Sequence, residues 1–304
     1  MSAKAFFTCC GLTLALFLAA LVTGFRAPPV AQEAKAATTT INPGSDEQAV
    51  TDYRLGVFPF LPALTLDRVF ALVIDDLGSG LGRTIHFRTK PNFEAFAEAM
   101  ASGTYDFIFV HPFFYMTAAD RHGYVPIARL RDPLVVAVLA REDSHIQGLG
   151  GLSGRTLGLP PKLAAVSEIA LGELERLGMV PGRDLKIQHF QSKMSCLHAV
   201  VLGSIDACGL PRFALAHLEL GPSESIKVVH ESTPYPSLVF AAHPRVPADD
   251  RKRLGDLITG WNEVADGKRI LSAGKWGAFV AAQDEDYDSI RHLDRQRREF
   301  SQRR

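Results

Sequence analysis

From residue 52 onward the chain alternates short β-rich runs with helical stretches, and this alternation constrains its fold more than any other feature. Branched and aromatic residues cluster at 53–58, 84–88, 105–110, 134–140, 156–159, 185–189, 205–209, 228–229 and 238–241, which read as strands. Between them, 66–77, 92–100, 164–177, 195–202 and 249–261 carry helical spacing, and a last helical stretch follows Asp286. Asn92 and Ser195 stand where N-caps belong, and Gly78, Gly103, Gly178 and Gly203 where helices stop. The runs 105–110 and 134–140 are almost wholly apolar, as strands buried on both faces are. The pattern predicts an α/β fold.

Composition narrows the class. Hydrophobic side chains make up 47% of the chain, too many for disorder. The 33 basic and 33 acidic residues balance, without the cationic excess that a nucleic-acid surface needs. No repeat of about 20–50 residues appears, so solenoids and propellers are set aside.

The N-terminus reads as an export signal. Lys4 precedes an apolar run over 6–22, short for a membrane span and placed where a signal peptide belongs. No clean small-x-small cleavage site follows it directly, so residues 1–25 are expected to be a cleaved signal peptide or an N-terminal anchor. Cys9 and Cys10 lie inside the apolar run, too early for lipid attachment. Residues 26–51, small and polar, read as a linker. Such a chain is expected to be exported and to meet the membrane only through this segment. At the other end, six arginines over 291–304 describe a basic helix or tail, read as solvated.

Motifs for covalent or metal chemistry are missing: no Gly-x-Ser-x-Gly, no P-loop, no His-Glu-x-x-His and no Cys-x-x-Cys. Asp75-Asp76 reads as a solvated helix end. The chain is expected not to be an enzyme and to need neither cofactor nor metal.

Four stretches, in this order, carry a resemblance: SGTYDFIFVHPFFY (102–115), LSGRTLG (152–158), AVVLGSIDA (199–207) and ESTPYPS (231–237). Together they resemble the periplasmic phosphate/phosphite/phosphonate-binding proteins of ABC transporters. The resemblance implies a two-lobed clamp of the type II periplasmic-binding-protein fold, with two crossing strands as hinge. Lobe I would comprise 52–133 and 237–283, lobe II 134–236, and 284–304 the basic C-terminal helix. It also implies a small (oxy)anion captured by hinge closure and delivered to an ABC permease. The alternative is a sensing protein that presents an oxyanion, sulfur compound or metalloid to a membrane sensor kinase.

In such a clamp the ligand sits at strand C-termini and helix N-termini. That position nominates Phe58, after the first strand, and His111, after the strand 105–110. Tyr115 falls at the tyrosine that relatives use. Relatives carry a Ser-Thr-Ser-Gly run at the first helix of lobe II; here the stretch is PKLAAV (161–166), and the first hydroxyl downstream is Ser167. Where relatives have Gly-Ser-His, this chain has QSKMS (191–195), which leaves Ser192, Lys193 and Ser195. Ser232, Thr233 and Tyr235 border the return crossing. Cys196 and Cys208 would lie on the cleft side, either as a disulfide or, with Met194, as a soft donor cluster.

Overall fold

A computed structural model describes residues 52–217 and 225–303. The expected signal or anchor segment 1–25 and linker 26–51 lie outside the described residues. No helix among these is long and apolar enough to cross a membrane.

Among the described residues, eleven strands fall into two sheets. The first contains β1 (Asp52–Val57), β2 (Thr84–Arg88), β3 (Phe107–Val110), β4 (Val125–Leu130), β10 (Val239–Ala242) and β11 (Phe279–Ala281), in the order β11-β4-β10-β3-β1-β2. The second contains β5 (Val136–Arg141), β6 (Thr156–Leu159), β7 (Lys186–His189), β8 (Ala207–Pro211) and β9 (Ile226–Glu231), in the order β7-β6-β8-β5-β9. Each mixes parallel neighbours with an antiparallel strand where the chain crosses between lobes: β10 beside β3, and β5 beside β8. Residues 131–135 and 232–238 make the two passages. They pair at Leu134 and Tyr235, whose N–H and C=O groups exchange hydrogen bonds of 2.8 and 2.9 Å.

Lobe I carries α1 (Ala63–Leu81), α2 (Phe93–Ala101), α3 (Pro112–His122), α6 (Ala248–Gly260) and α7 (Ala265–Gly274). Lobe II carries α4 (Ala165–Arg176) and α5 (Lys193–Val201), and the chain closes with α8 (Asp288–Gln302). Helix α1 runs through the expected stop at Gly78 and ends at Gly82, whose φ of 65° suits a residue without a Cβ. Asp76 therefore lies inside a helix and accepts a 2.8 Å bond from the Trp261 indole, which ties α1 to α6 rather than facing solvent. Ser192, not Ser195, caps α5 by accepting the Ser195 N–H. Helix α3 lacks a helical signature because its buried surface includes Phe113, Phe114, Tyr115 and Met116 in succession. It is covered from both lobes, so no polar stripe marks its period.

The solvated reading of the C-terminus is overturned. Ile290 and Leu293 of α8 are buried with lobe II residues Ile169, Ala170 and Leu174. Leu293 packs where α4 has Gly172; a Cβ there would collide with it. Arg297 pairs with Glu168 and Glu175 of α4. Arg291 meets Asp120 of α3 at 3.1 Å and Asp284 at 2.9 Å.

One local device recurs in both lobes. Asp106 accepts the Arg54 N–H at 2.8 Å and an Arg245 bond at 2.6 Å, clamping β3 to β1. Asp206 accepts the Thr156 N–H at 2.8 Å and an Arg155 bond at 3.2 Å, clamping β8 to β6. These are the acidic residues of the two Gly-containing motifs, and their work is in the sheets.

Candidate functional site

Parallel strands deliver their following loops to one end of a sheet, which is where a ligand meets main-chain dipoles. In lobe I, β1 leads into Phe58 and Phe60, whose rings stack at 4.7 Å. Strand β3 leads into His111, which caps α3 by accepting the Phe114 N–H on Nδ1 at 3.4 Å. That bond needs a lone pair on Nδ1, so the proton of the neutral ring sits on Nε2. Rings of Phe58, Phe93 and Phe114 stand 5.2, 6.1 and 4.2 Å from the His111 ring.

Lobe II meets this collar with the loop after β6. Ala164 belongs to the lobe I core cluster, and Leu163 packs against it. His111 is 2% exposed, and its Nε2 has no well-formed hydrogen bond. Burial lowers its pKa to about 3, an effect that the Leu163 main chain beside it partly offsets. A neutral donor is thus held at the lobe junction. On the other side, Ala164 caps α4 without a side-chain bond. The N–H groups of Ala165 and Val166 consequently lack intrahelical acceptors.

Most of the hydroxyls nominated from sequence are bonded within the protein. Ser167 is fully buried and donates to the Pro160 carbonyl at 2.9 Å, which His189 also engages. Tyr115 donates to Asp284 at 2.6 Å and lies 4.3 Å from the Tyr287 ring, facing the α8 junction. Ser232 accepts the Val136 N–H and donates to the Thr233 carbonyl, fixing the crossing. Thr233 donates to the buried Glu173, and Tyr235 pairs with Leu134 through its main chain. Ser192 and Ser195 bond each other at the start of α5.

Lys193, the first residue of α5, is exposed and lies 6.0 Å over the Phe213 ring. Surrounding protein and the Lys275 charge from lobe I lower its pKa, so the two lobes set like charges within reach of each other. Cys196 and Cys208 form a disulfide. They are 1% and 0% exposed among Leu139, Leu197, Val200, Ile205 and Leu210, with Met194 packed alongside. The pair is buried within lobe II, and no free thiol remains there for a soft ligand. No group of three or more His, Cys, Asp or Glu among the described residues is placed to hold a metal ion.

Sequence reasoning did not find the collar formed by Phe93 and Phe114, or Leu163 across from it. Aromatic runs read equally as core. Two hollows elsewhere do not compete with the junction: a void of about 10 Å³ in the lobe I core beside Phe107, and an open groove of about 340 Å³ between α6 and β4.

A family model described as "ABC transporter, phosphonate, periplasmic substrate-binding protein" matches residues 55–287. The chain belongs to this family. Solved structures agree on the fold of this phosphonate-binding family member. A binding-protein component of an ABC phosphonate transporter from Pseudomonas aeruginosa superposes with a TM-score of 0.68 at 18% identity, covering 80% of this chain and 85% of that one. PhnD1 from Prochlorococcus marinus, in complex with methylphosphonate, gives 0.70 at 16% identity over 81% and 98% of the two chains. A Xanthomonas citri protein bound to chloride gives 0.72 at 16% identity over 84% and 100%. No curated protein sequence matches. The family is one of transport substrate-binding proteins rather than enzymes, which favours transport over sensing.

Proposed function

We propose that this family member is an exported, periplasmic substrate-binding protein that captures a small oxyanion of the phosphonate class by closing its lobes, and hands it to an ABC permease. It works by capture and release without turnover, and residues 1–25 serve its export. The observation that carries this reading is the pairing of donors at the lobe junction. From lobe I comes the Nε2–H of His111; from lobe II comes the uncapped N-terminus of α4. A helix N-terminus offers an anion both free N–H groups and the positive end of the dipole. Phe58 and the Phe93 and Phe114 rings exclude water around them. Lys193, on the first turn of α5, is exposed and is not one of this donor pair.

Thermal unfolding of the protein with phosphate, phosphite, methylphosphonate and sulfate tests the reading. An anion that binds only the folded clamp adds about 2.7 kcal/mol at a hundredfold excess over its Kd. A shift with phosphite or methylphosphonate and none with sulfate is expected. Absence of any shift across the panel would remove the oxyanion from the account and leave only the fold.

A further inference from the structure

The junction is poor in charge for a site that takes an oxyanion. His111 is held in its Nε2–H form from two directions. Its Nδ1 accepts from the Phe114 N–H, and a proton there would both break that bond and face the positive end of α3. Rings meet the imidazole from the β1–α1 loop, α2 and α3, and main chain meets it from the 160–164 loop. Of the titratable residues of those elements, Glu94, Glu98, Asp120, Arg121 and Lys162 are exposed, as are Asp67 and Arg68 of α1; His122 is half-buried at the far end of α3, and the buried Tyr115 donates to Asp284. No charged side chain registers on the titration of His111. Opposite, PKLAAV supplies main-chain N–H groups and no hydroxyl before Ser167, which is already bonded to Pro160.

Such a site offers dipoles and one neutral donor. Bringing a charge out of water carries a penalty that grows with its square, so a second negative charge is far harder to bury than the first. Dipolar donors compensate one charge much better than two. We infer that the cleft selects the singly charged form of its ligand, a monoanionic oxyanion with an apolar substituent, and that His111 fixes this preference by donating from Nε2 as a neutral group. This rests on the proposed function and narrows its substrate class. Phosphonates and phosphite ionise a second time near neutrality; hypophosphite and alkylsulfonates carry one charge throughout.

Calorimetric titration between about pH 7 and about pH 9, above the ordinary histidine range, tests the idea, with the fixed monoanions as the control for the lowered Lys193. Methylphosphonate and phosphite are the titrating probes, and hypophosphite and methanesulfonate the fixed monoanions. Once the dianion dominates, affinity for methylphosphonate and phosphite should fall roughly tenfold per pH unit, in step with the monoanion fraction. The fixed monoanions should bind with constant affinity. His111→Asn, which keeps an N–H donor, should retain the profile. His111→Leu should weaken every probe roughly ten- to hundredfold, the loss of one hydrogen bond to a charged acceptor. Affinity for methylphosphonate or phosphite that stays level or rises with pH overturns the inference. It would assign the ligand to Lys193 and Lys275 instead, while leaving oxyanion binding intact. No binding by any probe at any pH would sink the proposed function together with it. The wild-type pH profile decides between these outcomes even if His111→Leu fails to fold.

Discussion

The two lobes share a strand-clamping aspartate but are made rigid by different means. Lobe I is packed with rings: Phe109 alone lies within 6.3 Å, centroid to centroid, of Phe60, Phe70, Phe240, Trp276 and Phe279. Lobe II has few aromatics, and its sheet is covered by aliphatic side chains that sit close on Gly158 and Gly209, with the Cys196–Cys208 bridge between α5 and β8. Rings bury large areas with few rotamers to freeze, so lobe I gains its stiffness from the hydrophobic effect. A smaller, ring-poor lobe gains from a cross-link that constrains its unfolded chain. The proposed cleft inherits the asymmetry. Its aromatic wall comes from lobe I and its main-chain dipoles from lobe II.

The largest test of that contrast is Phe109→Ala. Removing a fully buried ring from the centre of the lobe I network should cost about 3–5 kcal/mol in chemical denaturation. A loss below about 1 kcal/mol would mean that the ring network relaxes and that lobe I is not held by it. The lobe II counterpart is the Cys196→Ala/Cys208→Ala double variant. The bridge closes a sequence separation of 12 residues, for which about 3 kcal/mol is expected. The same loss should follow from adding reductant to the native protein and be absent in the double variant. If reduction leaves stability unchanged, aliphatic packing alone accounts for lobe II.

How much of this was legible in the sequence depended on the physical signal available. Buried strands such as 156–159 and the helix capped by Asn92 show in the residue pattern, because apolar runs and caps are local. Helix α3 and the docking of α8 do not. One is apolar on nearly all sides, and the other finds its partner in Gly172, more than a hundred residues away. At the site, His111 and Phe58 could be nominated because a strand's C-terminal end is visible in sequence. That Tyr115, Ser167, Ser232 and Thr233 direct their hydroxyls to Asp284, Pro160, the hinge main chain and Glu173 could not be read, since hydrogen-bond partners are settled by tertiary packing. The hydroxyl-free stretch 161–166 was visible, but not that His111 would stand opposite it.

Acid should bring the two lobes' difference into view through His111. Burial lowers its pKa to about 3 in the folded protein, against the ordinary 6.5 when solvated. A lowered histidine pKa means that the unfolded or parted state binds the extra proton first. The stabilisation is therefore complete above about pH 6.5 and lost progressively as pH falls toward about 3, at up to about 1.4 kcal/mol per unit. Denaturation midpoints measured from about pH 7 to about pH 4 should fall in the wild type and fall less steeply in His111→Asn. Equal slopes would place the acid sensitivity elsewhere. Asp284 is the next group to examine: burial opposes its ionisation, but bonds from Tyr115 and Arg291 hold its pKa below the usual range. Its contribution is present above the ordinary carboxylate range and lost only at still lower pH.

The smallest effect concerns α8, which joins the lobes outside the hinge. Helix α8 follows lobe I in the chain yet packs its apolar face on α4 of lobe II, with Arg297 between Glu168 and Glu175. Burial pulls the Arg297 pKa down, so desolvation offsets much of the attraction and the net worth of the pairs is modest. Arg297→Met keeps the length and apolar stem of the side chain while removing its charge. It should cost about 1 kcal/mol, and added salt should narrow the gap from wild type because screening weakens only the charged version. Hydrogen exchange over 288–302 should rise while exchange in β3 and β8 stays unchanged, since Ile290 and Leu293 still anchor the helix. If β8 loosens as well, α8 is part of the lobe II core rather than a brace laid across it, and the division of the molecule into an aromatic lobe and a cross-linked lobe must be redrawn around that helix.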